Sequence, residues 1–430
     1  MLQRIDLRGC RTDVVDKLPR PAIAGEGPQA VVDEILADVR SEGDSVLRAL
    51  TKKFDGVELE ALRVPKAELD QAVEELSDEL REAMEVSISR VESFHKQQLH
   101  KPTTLDDEGI TIEAYQRPVQ RAGLYVPGGR AEYPSTVIMT AVPAKVAGVG
   151  AVALCVPPDR ALKKVAPSVL AAARLSGVDE VYAVGGAQAI AAMAYGTESI
   201  SKVDVIAGPG NIYVALAKQR VAGDVGIAAA FAGPSEVVVV ADETATPEYA
   251  AIDVILQAEH GPDGLAWLVT WDEAVADAVC EAGDRLLESS PRADEVRSTL
   301  AEGGYVALVD SPSAALAVVD AIAPEHLELQ CRDAASLARE VNNAGAIFCG
   351  DLSPASIGDY LAGPSHVLPT YGSARFSSAL TVGDFMKDHH IVTVSQRGID
   401  ELGPHVVTLA HQEGLDAHAT SVRLRQQAKK

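Results

Sequence analysis

The chain has 430 residues, 47% apolar and only 4% aromatic, so a sizeable core must rest on Ala, Val, Leu and Ile. With 38 basic against 62 acidic residues the formal charge is −24, which repels phosphate backbones and anionic membranes and excludes both as ready partners. At about 150 residues per domain the length implies two or three domains.

The opening MLQRIDLRGCR holds no apolar core and does not read as a secretory leader. Apolar residues then recur every three or four positions across 28–54 and 66–98, predicting helices. The character changes near Gln116. Strands are expected at 122–126, 151–156, 180–184 and 203–207, with helices at 164–175, 187–195 and 212–219. The rhythm returns with strands at 237–240, 265–270, 305–309 and 346–348 and helices at 247–259, 271–287 and 313–322. This alternation predicts parallel sheets covered by helices on both faces. Two similar α/β units follow, the second packing with the helical first hundred residues. Residues 384–396 read as an extended arm and 403–430 as a final helix with a solvated basic end. The apolar stretches 135–157 and 181–195 are interrupted by Pro143 and Lys145 or are too short, so neither reads as a membrane span. Five scattered cysteines without a CxxC, Cys10, Cys155, Cys280, Cys331 and Cys349, fit free thiols in a reducing cytoplasm.

Three glycine-rich loops follow expected strands. GPGNIY (208–213) opens a helix near Asn211, where bare amides suit a phosphate. Tyr213 stands where the dinucleotide fingerprint has its third glycine, so a plain strand–helix turn fits the same residues. GGAQ (185–188) sets Gln188 at a helix start, and YVPGG (125–129) sets Tyr125 at a strand end. GVGAVA (148–153) matches GxGxxA by letter but runs into a strand, and reads as a helix end and turn. Ligands of open α/β sheets bind beyond the carboxyl ends of strands, so the three loops together make a nucleotide site credible.

Among ten histidines, His95 and His100 read as surface, and His389, His390, His405 and His411 show no distinctive spacing. Gln257 and His260, at i and i+3, share one helix face. That spacing suits an amide oxygen and an imidazole on one metal, and equally a capped helix end. Glu325 and His326 open a short strand, as a general base with a partner or as a polar loop. Asp359 and His366 lie in a Gly/Pro-rich loop, and Glu413 and His418 in the last helix. Gln257, His260, Asp359 and His418 form a nitrogen- and oxygen-only set that suits zinc or a similar ion.

Nine segments carry more than spacing: GLYVPGG, GGAQAIAAMAYGT, AGPGN, AGPSE, QAEHG, APEHLEL, NAGAIFCG, GDYLAGPSHVLPT and EGLDAH. In this order they closely resemble histidinol dehydrogenases, over about residues 20–420. The resemblance implies oxidation of L-histidinol to L-histidine through L-histidinaldehyde, a step of histidine biosynthesis that reduces two NAD. It implies a cytoplasmic, zinc-dependent homodimer, with Gln257, His260, Asp359 and His418 as metal ligands and the substrate's imidazole and amine completing the shell. Glu325 and His326 become the acid/base residues, and Tyr125, Gln188 and Asn211 line the NAD site. Ser235, His366 and Glu413 contact substrate, alongside the metal ligands and His326. The C-terminal segment reaches across the dimer, so that Glu413 and His418 complete the partner's site. His326 is expected to take a hydroxyl proton near its ordinary pKa, and Glu325 to activate water. The fold implied is two Rossmann-like units lacking the full dinucleotide fingerprint, with small N- and C-terminal dimerisation segments. Its divisions are an arm at 1–22, a main domain from 23–125 with 237–380, a second α/β domain at 126–236 and a dimerisation segment at 381–430. The alternative is a related zinc/NAD dehydrogenase acting on another small polyol, which is expected to lack His366 and Glu413.

Overall fold

A computed structural model describes residues 2–10, 14–19, 27–129, 131–228, 235–259 and 264–427. Two parallel sheets dominate it. The first places its strands in the order Glu180–Tyr182, Ala151–Cys155, Arg121–Tyr125, Val205–Ala207, Gly226–Ile227. The second runs Gln3–Asp6, Gly304–Leu308, Leu265–Thr270, Glu236–Ala241, His326–Gln330, Ala346–Cys349. Setting aside the edge strand Gln3–Asp6 and numbering each unit in chain order, both sheets read 3-2-1-4-5. Each therefore has one switch point, beside its first strand, where a crevice opens.

The sheets form because their strands are apolar on both faces, as helix-covered parallel strands must be. Val237 to Val240 are wholly buried, the odd residues in one core cluster and the even ones in the other. Each such side chain contributes about 1.5–3 kcal/mol through burial. In the first sheet Ala122 and Leu124 face one cluster and Tyr125 the other.

Several expectations are corrected. The helices between residues 27 and 96 pack chiefly on the first unit rather than the second. Helix Gly27–Glu42 packs on helices Gly186–Tyr195 and Ile212–Val221, helix Lys66–Glu74 on Pro167–Leu175, and helix Asp78–Lys96 on Pro134–Ala147. Val32, Ile35, Leu36 and Val39 share a core with Ile190 and Val214. Strand Arg121–Tyr125 lies at the centre of the first sheet, so residues 23–125 do not group with 237–380. Residues expected in an N-terminal arm supply the edge strand Gln3–Asp6. His95 is buried, because it extends the stripe Met84, Ser87, Val91 on one helix face. The extended arm appears as strand Met386–Val394, antiparallel to Ile110–Pro118. It is followed by two helices, Gln396–Gln412 and Asp416–Gln427, where one was expected. Among the described residues no helix is long and apolar enough to cross a membrane.

Candidate active site

The carboxyl edge of the first sheet gathers the three glycine loops. Tyr125 ends the central strand, and its hydroxyl accepts the Gly186 N–H at 3.0 Å. Gly186 opens the helix that carries Gln188, which is buried. Asn211 is exposed and caps helix Ile212–Val221, its Oδ1 accepting from the N–H of Tyr213 and Val214 at 3.1 and 3.2 Å. Between them Gly208 has φ +116° and lies hard against the backbone of Tyr125. Lys218, wholly buried, donates to the Gly208 carbonyl. Tyr125, Gln188 and Asn211 thus line one edge of the first sheet.

The second sheet offers its amino edge. A helix between parallel strands runs back antiparallel to them, so its C-terminus returns to the edge where the strands begin. Helix Pro247–Ala258 delivers Gln257 in this way. Helix Pro312–Ile322 ends at Ala323, a left-handed residue at φ 52°, and Pro324 then leads into Glu325 and His326. Strand Glu236–Ala241 begins alongside, with His326 opposite Val237. Glu236 N–H donates to Glu325 Oε2 at 3.0 Å, and its carbonyl lies 3.2 Å from His326 Nδ1. The backbone of one residue thus orients both reactive groups, and Nδ1–H donation leaves Nε2 as the basic nitrogen. Nε2 is buried without a hydrogen bond, 3.5 Å from Asp359 Oδ1. Ser235 lies next to Glu236, half-buried.

His366 closes the gap between the two edges. Its Nδ1 meets the Asp359 carbonyl at 3.0 Å and its Nε2 meets Thr136 Oγ1 at 3.1 Å. Thr136 lies in the helix that follows the YVPGG loop of the first sheet. Ser365 Oγ donates to the Met139 carbonyl of that helix at 2.9 Å.

Burial pushes Glu325 up to about 7, against the pull of His326. Burial disfavours charge on His326, but Glu325 and Asp359 outweigh it and raise it to about 9. The expectation of an ordinary histidine is therefore not met, since two carboxylates face one imidazole. Burial also lifts Glu236 to about 8. Its carboxyl accepts the N–H of Tyr371, itself left-handed at φ 54°. A mainly neutral Glu236 thus fastens the loop after His366 to the reactive pair.

The expected metal ligands are only partly gathered. Gln257 is 1% exposed, and its amide nitrogen has no hydrogen-bond partner among the described residues. Asp359 is half-buried, beside Tyr360, which feels the charges of both Asp359 and Glu259 at the end of Gln257's helix. A carboxylate is an ordinary zinc ligand, and an amide oxygen beside it is a donor that a divalent cation accepts. His260 lies outside the described residues. His418 and Glu413 are exposed on the C-terminal helices. Within one chain no described group of three His, Cys, Asp or Glu side chains surrounds a metal position.

A family model described as histidinol dehydrogenase matches residues 18–426. The chain belongs to the histidinol dehydrogenase family. Histidinol dehydrogenase of Vibrio parahaemolyticus is 47% identical over 412 residues, covering 95% of this chain and 94% of the relative. That of Parasynechococcus marenigrum is 48% identical over 400 residues, covering 92% and 91%. A crystal structure of histidinol dehydrogenase from Elizabethkingia anophelis matches with a TM-score of 0.94 at 36% identity, covering 99% of this chain and 98% of that one. The expected α/β class with parallel sheets is borne out, and as a histidinol dehydrogenase the chain is an NAD-dependent oxidoreductase.

Some residues that shape this histidinol dehydrogenase site were not singled out from sequence: Glu236, Thr136, Lys218 and Tyr371. Glu236 carried a signal, since a charged residue opening the run EVVVVA is out of place in a parallel strand buried on both faces. Thr136, inside a continuous apolar helix, carried none.

Proposed function

We propose that this chain oxidises L-histidinol to L-histidine through L-histidinaldehyde, in two consecutive steps that reduce two NAD. The observation that carries this reading is Glu325 and His326, held by the backbone of Glu236 and facing Asp359 across a buried edge. In the first step His326 Nε2 accepts the hydroxyl proton as hydride leaves the same carbon, giving the aldehyde. In the second, Glu325 takes a proton from water as it adds to the aldehyde. The hydrate anion so formed loses hydride to give the acid, which releases its proton as the carboxylate. NAD, when bound, accepts one hydride per step. Tyr125, Gln188 and Asn211 would hold it on the first sheet's edge. Zinc, when bound, clamps the substrate's imidazole and amine, which is positioning rather than proton chemistry. Gln257, His260 and Asp359 would hold it, with His418 of the partner subunit. Ser235 and His366 orient the substrate, together with the partner subunit's Glu413.

The working form is a homodimer. The C-terminal arm exposes Ile391, Val392, Val394, Leu409 and Leu424, apolar side chains that a second copy can cover. It also leaves His418 and Glu413 exposed, where a partner can use them. Five free cysteines fit a reducing cytoplasm.

The test is NADH absorbance from purified protein with L-histidinol and excess NAD, with and without a chelator. Two NADH per histidinol, abolished by chelation and restored by zinc, is expected. One NADH per substrate overturns the second step, and turnover of another polyol in place of histidinol overturns the substrate.

A further inference from the structure

Behind the reactive edge lies a second polar cluster that the proposed chemistry does not use. Strand His326–Gln330 sends Leu327 and Leu329 into one core cluster and turns His326, Glu328 and Gln330 to the other face. Glu328, Gln330 and Asp253, the last from helix Pro247–Ala258, are 1%, 2% and 4% exposed. Gln330 Nε2 donates to Asp253 Oδ2 at 2.7 Å and to Glu328 Oε2 at 3.0 Å. Glu328 Oε1 accepts the Ala355 N–H at 2.8 Å. The carboxyls of Asp253 and Glu328 thus share one donor, the Gln330 amide. Burial raises both groups in agreement.

These bonds join three elements. Asp253 lies one helical turn before Gln257, Ala355 one turn before Asp359, and Glu328 two residues after His326 on the same strand face. The reactive base and both described metal-ligand candidates therefore each stand one step from the cluster.

We infer that Asp253 and Glu328 are positioning residues, whose carboxyls, bridged by the Gln330 amide, lock Gln257, His326 and Asp359 into the relative placement that holds the metal. The inference rests on the zinc reading above. The bonds through Gln330 and to the Ala355 N–H do the positioning, and net charge at Asp253 plays no part. Asp253→Asn keeps an oxygen that accepts from Gln330. Asp253→Ala removes the bond.

The experiment titrates metal-free full-length protein with cobalt(II), read by visible absorption, and measures kcat and both KM values of the zinc-loaded forms. Asp253→Asn is expected to bind cobalt as the parent does. Asp253→Ala and Glu328→Ala are expected to bind it about 10–100-fold more weakly, as when a partner behind a metal ligand is lost. The KM for NAD should stay unchanged, because its loops lie on the other sheet. Asp253→Leu, which fills the space without the bond, replaces any Ala variant that does not fold. Equal losses in Asp253→Asn and Asp253→Ala overturn the inference, as does full cobalt affinity in Asp253→Ala. A parent protein that binds no cobalt overturns the zinc reading itself.

Discussion

One methyl group at Gly208 tests the cofactor edge. Gly208 has φ +116°, and a Cβ built there sits 2.0 Å from the carbonyl oxygen of Tyr125. Real Cβ atoms keep at least about 3.0 Å from such an atom, so Gly208→Ala must displace the loop by about 1 Å (3.0 − 2.0). No side-chain rotation relieves this contact, because the obstacle is the backbone of the central strand. The disfavoured φ adds strain of about 1–3 kcal/mol. The same movement pulls the Gly208 carbonyl away from Lys218 and shifts the turn that leads to Asn211. Since a 1 Å misplacement can lower a rate about 100-fold, the KM and Kd for NAD should rise about 10–100-fold. The KM for histidinol and the affinity for metal, set at the other sheet, should not move. Steady-state kinetics with each substrate varied in turn, and calorimetric titration with NAD, measure both. An unchanged NAD Kd would refute the assignment of this edge, and so would an equal rise in both KM values.

Other expectations follow from burial and charge. Because His326 is raised to about 9 and must be neutral to accept a proton, kcat/KM for histidinol should climb with pH up to about 9. Glu325→Gln removes one of the two carboxylates that raise it, so the limb should move to lower pH; a limb that stays in place contradicts the ion pair. Glu236, pushed up to about 8 from 4.5 by burial, holds in the folded state a proton that the unfolded chain has released. Its contribution to stability therefore falls as pH rises from about 4.5 to about 8. The Tm advantage of Glu236→Gln over the parent should grow across that window, and a constant difference would count against it. Burial pulls Lys218 down from 10.5 to about 8. The folded state thus binds fewer protons than the unfolded between those values, and stability gains as pH rises through them. Urea unfolding should show that gain in the parent and its loss in Lys218→Met.

The second unit was easy to read because its strands are short apolar runs and its helices keep one apolar face. Helix Pro134–Ala147 escaped notice for the opposite reason. It is buried on nearly every side from Thr136 to Ala144, so no period marks it, and Pro143 lies inside it. Strands Thr103–Asp107 and Ile110–Pro118 escaped because they lie at the surface, the first exposed at every position and without alternation. The packing of the first hundred residues was misjudged, since an amphipathic face such as that of Asp44–Asp55 says that it is covered and not by what. Within the site, Tyr125, Gln188 and Asn211 fall together because each follows a strand of one sheet. Glu236 and Glu328 were overlooked although they lie in the segments AGPSE and APEHLEL and each is a charge in a buried strand. The raised pKa of His326 depends on Asp359, 33 positions away in the chain, whose approach only the folded structure reveals.

The seam made by His366 on Thr136 and Ser365 on the Met139 carbonyl divides the gene as well as the fold. Under the proposed assignment, the codons that choose the dinucleotide lie within 125–211, while the described codons for the proton-transfer pair and its supports lie within 235–371. A library aimed at a different nicotinamide carrier can therefore be written in one contiguous cassette without touching the acid/base machinery. Its helix Pro134–Ala147 makes hydrogen bonds to the loop of His366 at Thr136 and the Met139 carbonyl, so Thr136 and its neighbours are the positions such a library should leave alone.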